Sequence, residues 1–312
     1  MKPSTVAIWF ANKVPKFSSF ALRIWANLNG RQGSNEHWLF HRLKSQSYLR
    51  LRRRARLITG QSLYVDPYDS VGGEIFHSGC YERETVVLLQ RLLRPGMVVV
   101  DAGSHIGQYT VIASQLVKEG TVHAFEPDPI TFRQLEENVA LNSCRNVSCN
   151  CAALSRELGY GSLYLSAVDN IGGNSLRPTG CYAGDQTTVS LQTLDHYAGL
   201  VDLARLDVLK ADVEGAELFL LEGGEQVISR FHPVVILEFS IHTKAYGYTP
   251  KHLEEKLKKW GYLLFKIGPI PLAPLTLSSS DPPYLNVLAV HQEQVEDLLS
   301  RKLVHPHGLE PR

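Results

Sequence analysis

The sequence predicts an α/β fold built on a mostly parallel, doubly wound sheet. Three observations carry this prediction: apolar runs alternate with stretches of helical length, two of the runs end in an acidic residue, and glycines follow the first of them directly. A strand buried on both faces of a parallel sheet is continuously apolar, and the run from Met97 to Val100, which ends in Asp101, has this character.

The predicted elements follow one another in βαβ order. Helices are predicted over 82–93, 107–118, 128–142, 215–229 and 250–260. Core strands are predicted over 97–101, 121–126, 147–154, 206–212, 234–239, 262–267 and 284–291. Shorter strands at 161–166 and 187–191 flank a loop at 169–185 that is rich in Gly, Asn and Ser. Pro95-Gly96 closes the first helix, and Pro129 suits the first turn of the third.

Composition indicates a globular chain with two oppositely charged parts. The 312 residues are 44% hydrophobic and carry a formal net charge of +1, which argues against a general nucleic-acid binder. Residues 1–60 hold 12 Lys/Arg and one acid, Glu36, whereas residues 61–312 hold 20 Lys/Arg and 30 Asp/Glu. We expect 1–60 to form a basic, helical N-terminal extension. Its partner is left open between an anionic membrane surface, RNA, an acidic surface of another protein and the acidic body itself.

Cysteine usage and hydropathy favour a cytoplasmic location. The cysteines are odd in number and lack a CxxC spacing, so we expect neither a disulfide framework nor a zinc site. No apolar run of 18 residues and no signal-peptide pattern is found, so we expect neither a transmembrane helix nor a cleaved leader. The five cysteines are Cys80, Cys144, Cys149, Cys151 and Cys181.

A glycine loop follows the first core strand, where parallel sheets bind ligands. Gly103 permits a tight turn and close backbone approach, and Gly107 permits the next helix to pack on the strand. Glu126 ends the next strand, 23 residues after Gly103, where a carboxylate can bind a ribose diol. These residues predict a nucleotide-type cofactor at the strand ends.

The loop does not match the pyrophosphate-binding patterns. A dinucleotide fingerprint would need glycine at 105 and 108, where this chain has His105 and Gln108, and no Gly-Lys-Ser/Thr of a phosphate-binding loop is present. S-adenosylmethionine carries no pyrophosphate and therefore suits the observed pattern. Asp101 would help to organise its cationic amino-acid end, and Glu126 would bind both ribose hydroxyls.

Carboxylates also gather after the fourth core strand. Lys210, Asp212 and Glu214 alternate and would point the same way if the strand continued, and Gly215 lets the chain turn into a helix. Asp212 or Glu214 could act as a general base, with Lys210 pairing a neighbouring carboxylate or lowering the pKa of the acceptor. Alternatively, Asp212 caps the next helix and Lys210 with Glu214 forms a structural ion pair.

Glu238 ends the fifth core strand at the same sheet edge, and His242 follows four residues later. His242 has a pKa suited to base chemistry, although a lone histidine is more often structural. Together with Asp212 and Glu214 these side chains could bind a divalent cation, but the spacing is not diagnostic. We expect no metal.

The motifs together resemble the FkbM family of S-adenosylmethionine (SAM)-dependent methyltransferases over residues 75–292. The residues that carry the resemblance are Gly79-Cys80-Tyr81-Glu82, 100–110 around the glycine loop, Ala124-Phe125-Glu126-Pro127, Asn138 to Asn142, 152–155, and Leu209 to Glu217 joined to Val234 to Glu238. The last of these is the most specific. Residues 1–60 lie outside the resemblance.

The resemblance implies a class I, Rossmann-like, seven-stranded methyltransferase domain over 61–295, between the basic extension and a polar tail at 296–312. It implies SAM as cofactor and methyl transfer to a hydroxyl of a sugar, glycan, polyketide or other small natural product. The implied cofactor-binding residues are Tyr81, Asp101, Gly103, Ser104, His105, Gly107, Glu126 and Asp212. The candidate catalytic residues are Asp212, Glu214, Lys210 and Glu238.

One departure and two alternative functions accompany the resemblance. The family has Ala-Asn between the glycines, where this chain has Ser104-His105. Histidine tolerates positive φ, so we expect the turn to be kept.

An RNA or protein methyltransferase that uses the basic extension is one alternative, although no N/D-P-P-Y/F motif follows the fourth strand. A non-catalytic SAM-binding scaffold is the other. The sequence does not predict an oligomeric state.

Overall fold

A computed structural model describes residues 52–67, 69–166, 171–180, 182–275, 277 and 284–306. The strands are β1 (Arg53–Arg56), β2 (Ser62–Val65), β3 (Val98–Ala102), β4 (Thr121–Phe125), β5 (Val147–Asn150), β6 (Ala153–Leu154), β7 (Gly159–Ser166), β8 (Tyr182–Gln192), β9 (Val208–Ala211), β10 (Val234–Ser240), β11 (Tyr262–Lys266) and β12 (Tyr284–His291).

The α-helices cover most connections between these strands. They are α1 (Ser70–Ser78), α2 (Arg83–Leu92), α3 (Gln108–Val117), α4 (Pro129–Leu141), α5 (Leu194–Leu200), α6 (Glu217–Gly223), α7 (Glu225–Phe231), α8 (Pro250–Lys259) and α9 (Val295–Ser300). Short 3₁₀ turns lie at Ile171–Gly173, Ile241–Tyr246 and Gln292–Gln294. No helix among the described residues combines the length and the apolar character needed to cross a bilayer.

The main sheet has seven strands in the order β11-β12-β10-β9-β3-β4-β5. Its neighbours pair in parallel except at β12, which is antiparallel to both β10 and β11. The order reverses between β3 and β9, so the carboxyl ends of β3, β4, β9 and β10 meet at one edge. The predicted doubly wound, mostly parallel fold is confirmed.

Alternation along the strands supplies the two cores that bury the sheet. Val99 contributes to the core on one face and Val100 to the core on the other, and Val208 and Leu209 divide in the same way. All four side chains are buried. Because both faces are covered by helices, the strands can be apolar throughout, which produced the continuous runs in the sequence.

Two small sheets flank the main one. Strands β6, β8 and β7 form a three-stranded sheet, in which β7 and β8 are antiparallel. The β1–β2 hairpin lies against α4, where Asn138 accepts a hydrogen bond from the Tyr64 backbone N–H and Asn142 accepts one from that of Ser62. The structure therefore adds a two-stranded ribbon that the sequence analysis did not predict.

Two predicted elements are each divided in the structure. The strand predicted over 147–154 is two strands, β5 and β6, since the chain bends where the Ala152 N–H bonds the Asn150 carbonyl. The helix predicted over 215–229 is α6 and α7, separated at Gly224. The helices α1, α5 and α9 were not predicted.

The two ends of the chain differ from expectation where the structure describes them. Residues 53–56, at the end of the predicted helical extension, form β1, and Ala55 is buried between exposed arginines. Residues 1–51 of the basic extension lie outside the described residues. The predicted polar tail is wrong over 298–304, because Leu298, Leu303 and Val304 are buried in the core. In the sequence the apolar residues of this segment alternate with charged and polar ones, so its contribution to the core was not predicted.

Candidate active site

A cleft of about 1100 Å³, partly open to solvent, lies at the carboxyl ends of β3, β4, β9 and β10. This is the edge at which the sheet topology places a ligand. The cleft is lined by the glycine loop, by the ends of these four strands and by parts of the β6–β8 segment. Its polar lining residues are Tyr81, Glu82, Ser104, His105, Gln108, Tyr109, Glu126, Asn174, Lys210, Asp212, Glu214 and Glu238.

Gly103 lines the cleft, and its backbone lies directly against the backbone of Asp212. Its φ is +74°, and a Cβ at this position would lie 1.8 Å from the backbone oxygen of Asp212. Gly107 has φ +91°, and a Cβ there would lie 2.7 Å from a methyl of Leu135. Both positions therefore require glycine, for backbone geometry and for space.

His105 keeps the loop in the left-handed turn that the sequence analysis expected. Its φ is +50°, and its backbone N–H donates to Glu126 Oε2 over 2.9 Å. Burial lowers the pKa of its imidazole. Its Nε2 has no hydrogen-bond partner among the described residues. A neutral imidazole whose Nε2 has no partner among the described residues therefore lies in the glycine loop.

Glu126 joins the ends of β3 and β4. It is buried, and its Oε1 accepts a hydrogen bond from the Asp128 N–H over 2.9 Å. Burial raises the pKa of its carboxyl to about 8. Each carboxyl oxygen has a further lone pair, so the group can also accept hydrogen bonds from a ribose diol.

Lys210 is buried between two carboxylates beneath the cleft. Its Nζ lies 3.2 Å from Asp212 Oδ2 and 3.9 Å from Asp101 Oδ1. It also lies 4.6 Å from the centre of the Tyr109 ring. Burial alone would lower the pKa of Lys210, but Asp212 and Asp101 outweigh it and raise the pKa. Lys210 is therefore a charged, fixed cation.

Asp101 supports this cation from behind the cleft wall. Its Oδ2 accepts a hydrogen bond from Thr110 Oγ1 over 2.6 Å, and its backbone oxygen accepts one from Ser104 Oγ. Burial raises the pKa of Asp101 and Lys210 opposes that rise. Asp101 contacts the loop and Lys210 and is not part of the cleft lining.

Glu214 and His242 form a hydrogen-bonded pair beside Asp212. Glu214 Oε2 lies 2.7 Å from His242 Nδ1, and His242 Nε2 lies 3.0 Å from the Tyr284 hydroxyl. Burial raises the pKa of Glu214, and the hydrogen bond to Glu214 raises that of His242. Glu214 has φ +54°, so a turn and not strand alternation places its side chain in the cleft.

The alternative structural roles weighed for this segment do not match the contacts. Lys210 pairs with Asp212 and Asp101, while Glu214 pairs with His242, so Lys210 and Glu214 are not partners. The helix α6 has Ala216 as its N-cap and no side-chain cap. Asp212 therefore does not cap this helix, and it lines the cleft.

Glu238 lines the cleft from the end of β10. Burial, with added repulsion from Asp212, raises the pKa of its carboxyl to about 10. Its Oε2 is buried and has no hydrogen-bond partner among the described residues. At neutral pH this side chain is a neutral carboxyl group with a donor and an acceptor to offer a ligand.

Glu82 is a cleft residue that the sequence analysis did not assign. Its carboxylate accepts hydrogen bonds from the Tyr109 hydroxyl and from Asn286 Nδ2, both over 2.7 Å. Burial raises the pKa of Glu82. The signal was available, because Glu82 and Tyr109 both lie in quoted motifs, but Asn286 is 204 residues away and had no local signature.

Glu217 was also missed, and it lies under the turn that follows β9. Its Oε1 accepts hydrogen bonds from the backbone N–H groups of Val213 and Gly215, both over 3.2 Å. The Tyr248 hydroxyl donates to the Gly215 carbonyl beside it. Burial raises the pKa of Glu217 to about 7. Glu217 and Tyr248 therefore support the turn that carries Glu214.

The structure brings most predicted site residues to one cleft. Asp101 and Gly107 are not among its lining residues and act through the loop geometry. The predicted residues that line it are Tyr81, Gly103, Ser104, His105, Glu126, Lys210, Asp212, Glu214 and Glu238.

The FkbM methyltransferase domain matches residues 101–264, from the end of β3 into β11. The chain belongs to the FkbM methyltransferase family. The matched range contains the glycine loop, Glu126 and the carboxylates after β9 and β10, whereas Tyr81 and Glu82 precede it.

Three curated relatives are similar to this chain. Methyltransferase 1 of Beauveria bassiana is 29% identical, over 52% of this chain and 71% of the relative. The 31-O-demethyl-FK506 methyltransferase FkbM of Streptomyces tacrolimicus is 28% identical, over 52% and 73%. The hexuronic acid methyltransferase AglP of Haloferax volcanii is 26% identical, over 57% and 68%.

The site residues fit the cofactor that this family uses. This chain is therefore a SAM-dependent methyltransferase with a class I, Rossmann-like sheet. Gly103 leaves a cradle that any Cβ would fill, Glu126 offers carboxyl oxygens to a diol, and Asp212 offers a carboxylate to a cation. These donors and acceptors suit a ribose and an amino-acid end.

Proposed function

We propose that this FkbM-family chain methylates a hydroxyl oxygen of a sugar, glycan or other small natural product. SAM supplies an electrophilic methyl group on a sulfonium. The acceptor oxygen forms a bond to the methyl carbon, the carbon–sulfur bond breaks with its electron pair left on sulfur, and the hydroxyl proton passes to a base. The observation that carries the proposal is the Glu214–His242 pair beside Asp212 at the cofactor cleft.

A hydroxyl acceptor needs a base, because it is a weak nucleophile while it retains its proton. Glu214 reaches the cleft and His242 is hydrogen-bonded behind it, so a proton accepted by Glu214 is shared with a second basic group. Asp212 is held by Lys210 at 3.2 Å and can orient the acceptor. We assign Glu214 as the base and Asp212 as the orienting carboxylate.

The charges around the acceptor end favour a neutral, hydroxyl-rich substrate. Carboxyl groups of Glu82, Asp212, Glu214 and Glu238 line the cleft together with Lys210, which is the one Lys or Arg among its described lining residues. Carboxylates accept hydrogen bonds from hydroxyl groups and repel a second anion. The 31-O-demethyl-FK506 methyltransferase supports a small oxygen-bearing acceptor, whereas the hexuronic acid methyltransferase acts on an acidic sugar and supports the sugar class alone.

A transfer assay with methyl-labelled SAM tests this function. The full chain is incubated with a panel of neutral glycosides, uronic acids, polyketide alcohols, RNA and a peptide mixture, and the products are analysed by mass spectrometry. We expect label in a methyl ether, which survives mild alkali, on a neutral polyol. Label on nitrogen, on a carboxyl ester, or only on RNA or protein would contradict the proposal.

Two controls separate failure of the chemistry from failure of the protein. SAM binding is measured on the same sample by calorimetry, so an inactive preparation is distinguished from a misfolded one. A Glu214→Gln variant that binds SAM and transfers no label supports the assigned base. Tight SAM binding with no transfer to any acceptor would favour the scaffold alternative.

The basic extension stays outside this assignment. Its contact with an anionic membrane surface, and the cytoplasmic location of the chain, remain predictions from the sequence. Deletion of residues 1–51 tests the first of these by sedimentation with anionic vesicles. We expect vesicle binding to be lost and methyl transfer to a water-soluble acceptor to be kept.

A further inference from the structure

The segment 172–176 lies between β7 and β8 and reaches the cleft, and the proposed function does not use it. Gly172, Asn174 and Leu176 are among the residues that line the cleft. Ser175 lies between two of them, yet it is only 2% exposed and is not a lining residue. Its side chain is therefore turned toward the protein, and its contacts there decide what the segment does.

Backbone hydrogen bonds attach this segment to β7. The Tyr164 N–H donates to the Ser175 carbonyl over 2.8 Å, and the Ser175 N–H donates to the Tyr164 carbonyl over 3.0 Å. Asn174 Oδ1 accepts a hydrogen bond from the Ser166 N–H over 2.9 Å. The backbone of Ser175 is therefore fixed, which leaves its hydroxyl to make a contact of its own.

The Ser175 hydroxyl attaches the segment to the turn that carries Glu214. Its Oγ donates to the Glu214 carbonyl over 2.7 Å and lies 2.8 Å from the Tyr246 hydroxyl oxygen. A serine hydroxyl has one proton, and the Glu214 carbonyl accepts it, so the Tyr246 hydroxyl is the donor to Ser175. Two hydroxyl groups thus form a directed chain of hydrogen bonds that ends on the Glu214 backbone.

This chain supports a backbone turn that glutamate adopts only under constraint. Glu214 has φ +54° and Gly215 has φ +98°. Glu217 accepts hydrogen bonds from the Val213 and Gly215 N–H groups, and Ser175 donates to the carbonyl between them. A non-glycine residue keeps a left-handed conformation where its surroundings hold it there. The direction of the Glu214 side chain therefore depends on these backbone contacts.

Tyr246 belongs to the same 3₁₀ turn as His242, the hydrogen-bond partner of Glu214. Its ring lies against Gly215, where a Cβ would meet the ring at 2.9 Å. The turns after β9 and β10 are therefore joined twice, once by the carboxylate–imidazole hydrogen bond and once by the hydroxyl chain through Ser175. Loss of the second link should loosen the first.

We propose that Ser175 is a positioning residue for methyl transfer, whose hydroxyl ties the segment 172–176 to the Glu214 backbone and so directs the Glu214 carboxylate into the cleft. This inference rests on the proposed function, in which Glu214 is the base. A base that is already oriented when the acceptor enters saves part of the entropy of reaching the reactive geometry.

The pKa of the His242 imidazole reports whether Glu214 is in place, and its measurement needs no acceptor. Glu214 raises this pKa by its hydrogen bond and its charge, Glu217 raises it by charge, and burial lowers it. The Tyr284 hydroxyl is the contact of the other ring nitrogen. The pKa is measured by NMR titration of the full chain with isotope-labelled histidine, and the His242 signal is the one that His242→Leu lacks.

Ser175→Ala should lower the pKa of His242 by about 0.5 to 1, because the hydrogen bond to Glu214 is loosened. Tyr246→Phe, which removes the hydroxyl that donates to Ser175, should lower it by a smaller amount. Ser190→Ala, at an exposed serine of β8, is the matched control and should leave it unchanged. An unchanged pKa of His242 in folded Ser175→Ala would overturn the proposal, because a lower melting temperature alone would mean a structural role only.

Methyl transfer separates this inference from the proposed function. With methyl-labelled SAM and neutral glycosides, Ser175→Ala should transfer label about tenfold more slowly than the wild type, while its Kd for SAM changes less than about threefold. Transfer at the wild-type rate would overturn the proposal. If the wild type labels no glycoside, the proposed function fails, and the pKa of His242 still decides whether Ser175 positions Glu214.

Discussion

Glu214 Oε2 and His242 Nδ1 lie 2.7 Å apart and join the turn after β9 to the 3₁₀ turn after β10. Each partner changes the pKa of the other. The hydrogen bond opposes the rise that burial causes in the pKa of Glu214, and it raises the pKa of His242. The pair therefore sets the pH range in which Glu214 can accept a proton.

Replacing the carboxylate of Glu214 should abolish methyl transfer and leave SAM binding nearly unchanged. We expect Glu214→Gln to lower kcat by about 10²–10⁴-fold, the contribution typical of a general base. The Kd for SAM should change less than threefold. Steady-state kinetics and calorimetry measure the two quantities. Glu255→Gln, at an exposed carboxylate of α8, is the matched control and should keep full activity.

Substituting His242 by Leu, which cannot donate a hydrogen bond to Glu214, should move the acid limb of the pH–rate profile upward. Without the hydrogen bond that opposes burial, the pKa of Glu214 rises further, so a higher pH is needed to ionise it. At pH 7 kcat/KM falls, and part of it is regained at higher pH. A profile that keeps its acid limb in His242→Leu would show that Glu214 is not the ionising group.

Lys210 and Asp101 should be strongly coupled in stability. Lys210→Met leaves Asp101 buried without its cation, and we expect a loss of about 3–5 kcal/mol in the free energy of unfolding by urea. Adding Asp101→Asn, which retains an oxygen for Thr110, should recover part of this loss. Losses that simply add in the double variant would contradict the coupling.

Gly103→Ala should abolish SAM binding, because its Cβ would meet the backbone oxygen of Asp212 at 1.8 Å. The strain displaces the loop from the end of β9, which also lowers the melting temperature. Gly199→Ala is the matched control, since a Cβ there meets nothing within 4 Å. SAM titration and thermal unfolding of both proteins check this, and equal SAM affinities would refute it.

Glu217 should make the stability of the protein fall as pH rises. Its pKa is raised from 4.5 to about 7, so below pH 4.5 folded and unfolded chains are both protonated. Between these values only the unfolded chain releases the proton, which destabilises the fold progressively up to about pH 7. The full effect is at most about 3.5 kcal/mol, because one pKa unit corresponds to about 1.4 kcal/mol.

Glu217→Gln keeps an oxygen for the Val213 and Gly215 N–H groups and cannot ionise. Urea unfolding at pH 5 and pH 8 should therefore show a smaller decrease in stability for the variant than for the wild type. An identical decrease in both proteins would assign the pH dependence to other groups.

The sequence predicted those features that depend on neighbours along the chain. The strand from Met97 to Asp101 was predictable because both faces of the sheet are buried, which makes the run continuously apolar. The turn after it was predictable because Gly103 and Gly107 occupy positions that only glycine fits. Even His105 was expected at positive φ, from the conformational tolerance of its side chain. These local rules located the part of the cleft that the glycine loop lines.

Features made by distant contacts could not be predicted in the same way. Glu82 is recognisable as a site residue only in the folded chain, where Asn286 of β12 donates a hydrogen bond to its carboxylate. Glu214 was assigned to the cleft by strand alternation, yet β9 ends at Ala211 and a left-handed turn places it. The β1–β2 ribbon needs Asn138 and Asn142 of α4, whose pattern alone indicates only a helix.

The central claim is that SAM binds in the cleft closed by the glycine loop and Glu126. Calorimetric titration of SAM and S-adenosylhomocysteine into the wild-type chain and into Glu126→Ala tests it most directly. We predict one site per chain with micromolar to sub-millimolar affinity, weakened at least tenfold in Glu126→Ala. Absence of binding to the folded wild type, or equal affinity in the two proteins, would contradict the account.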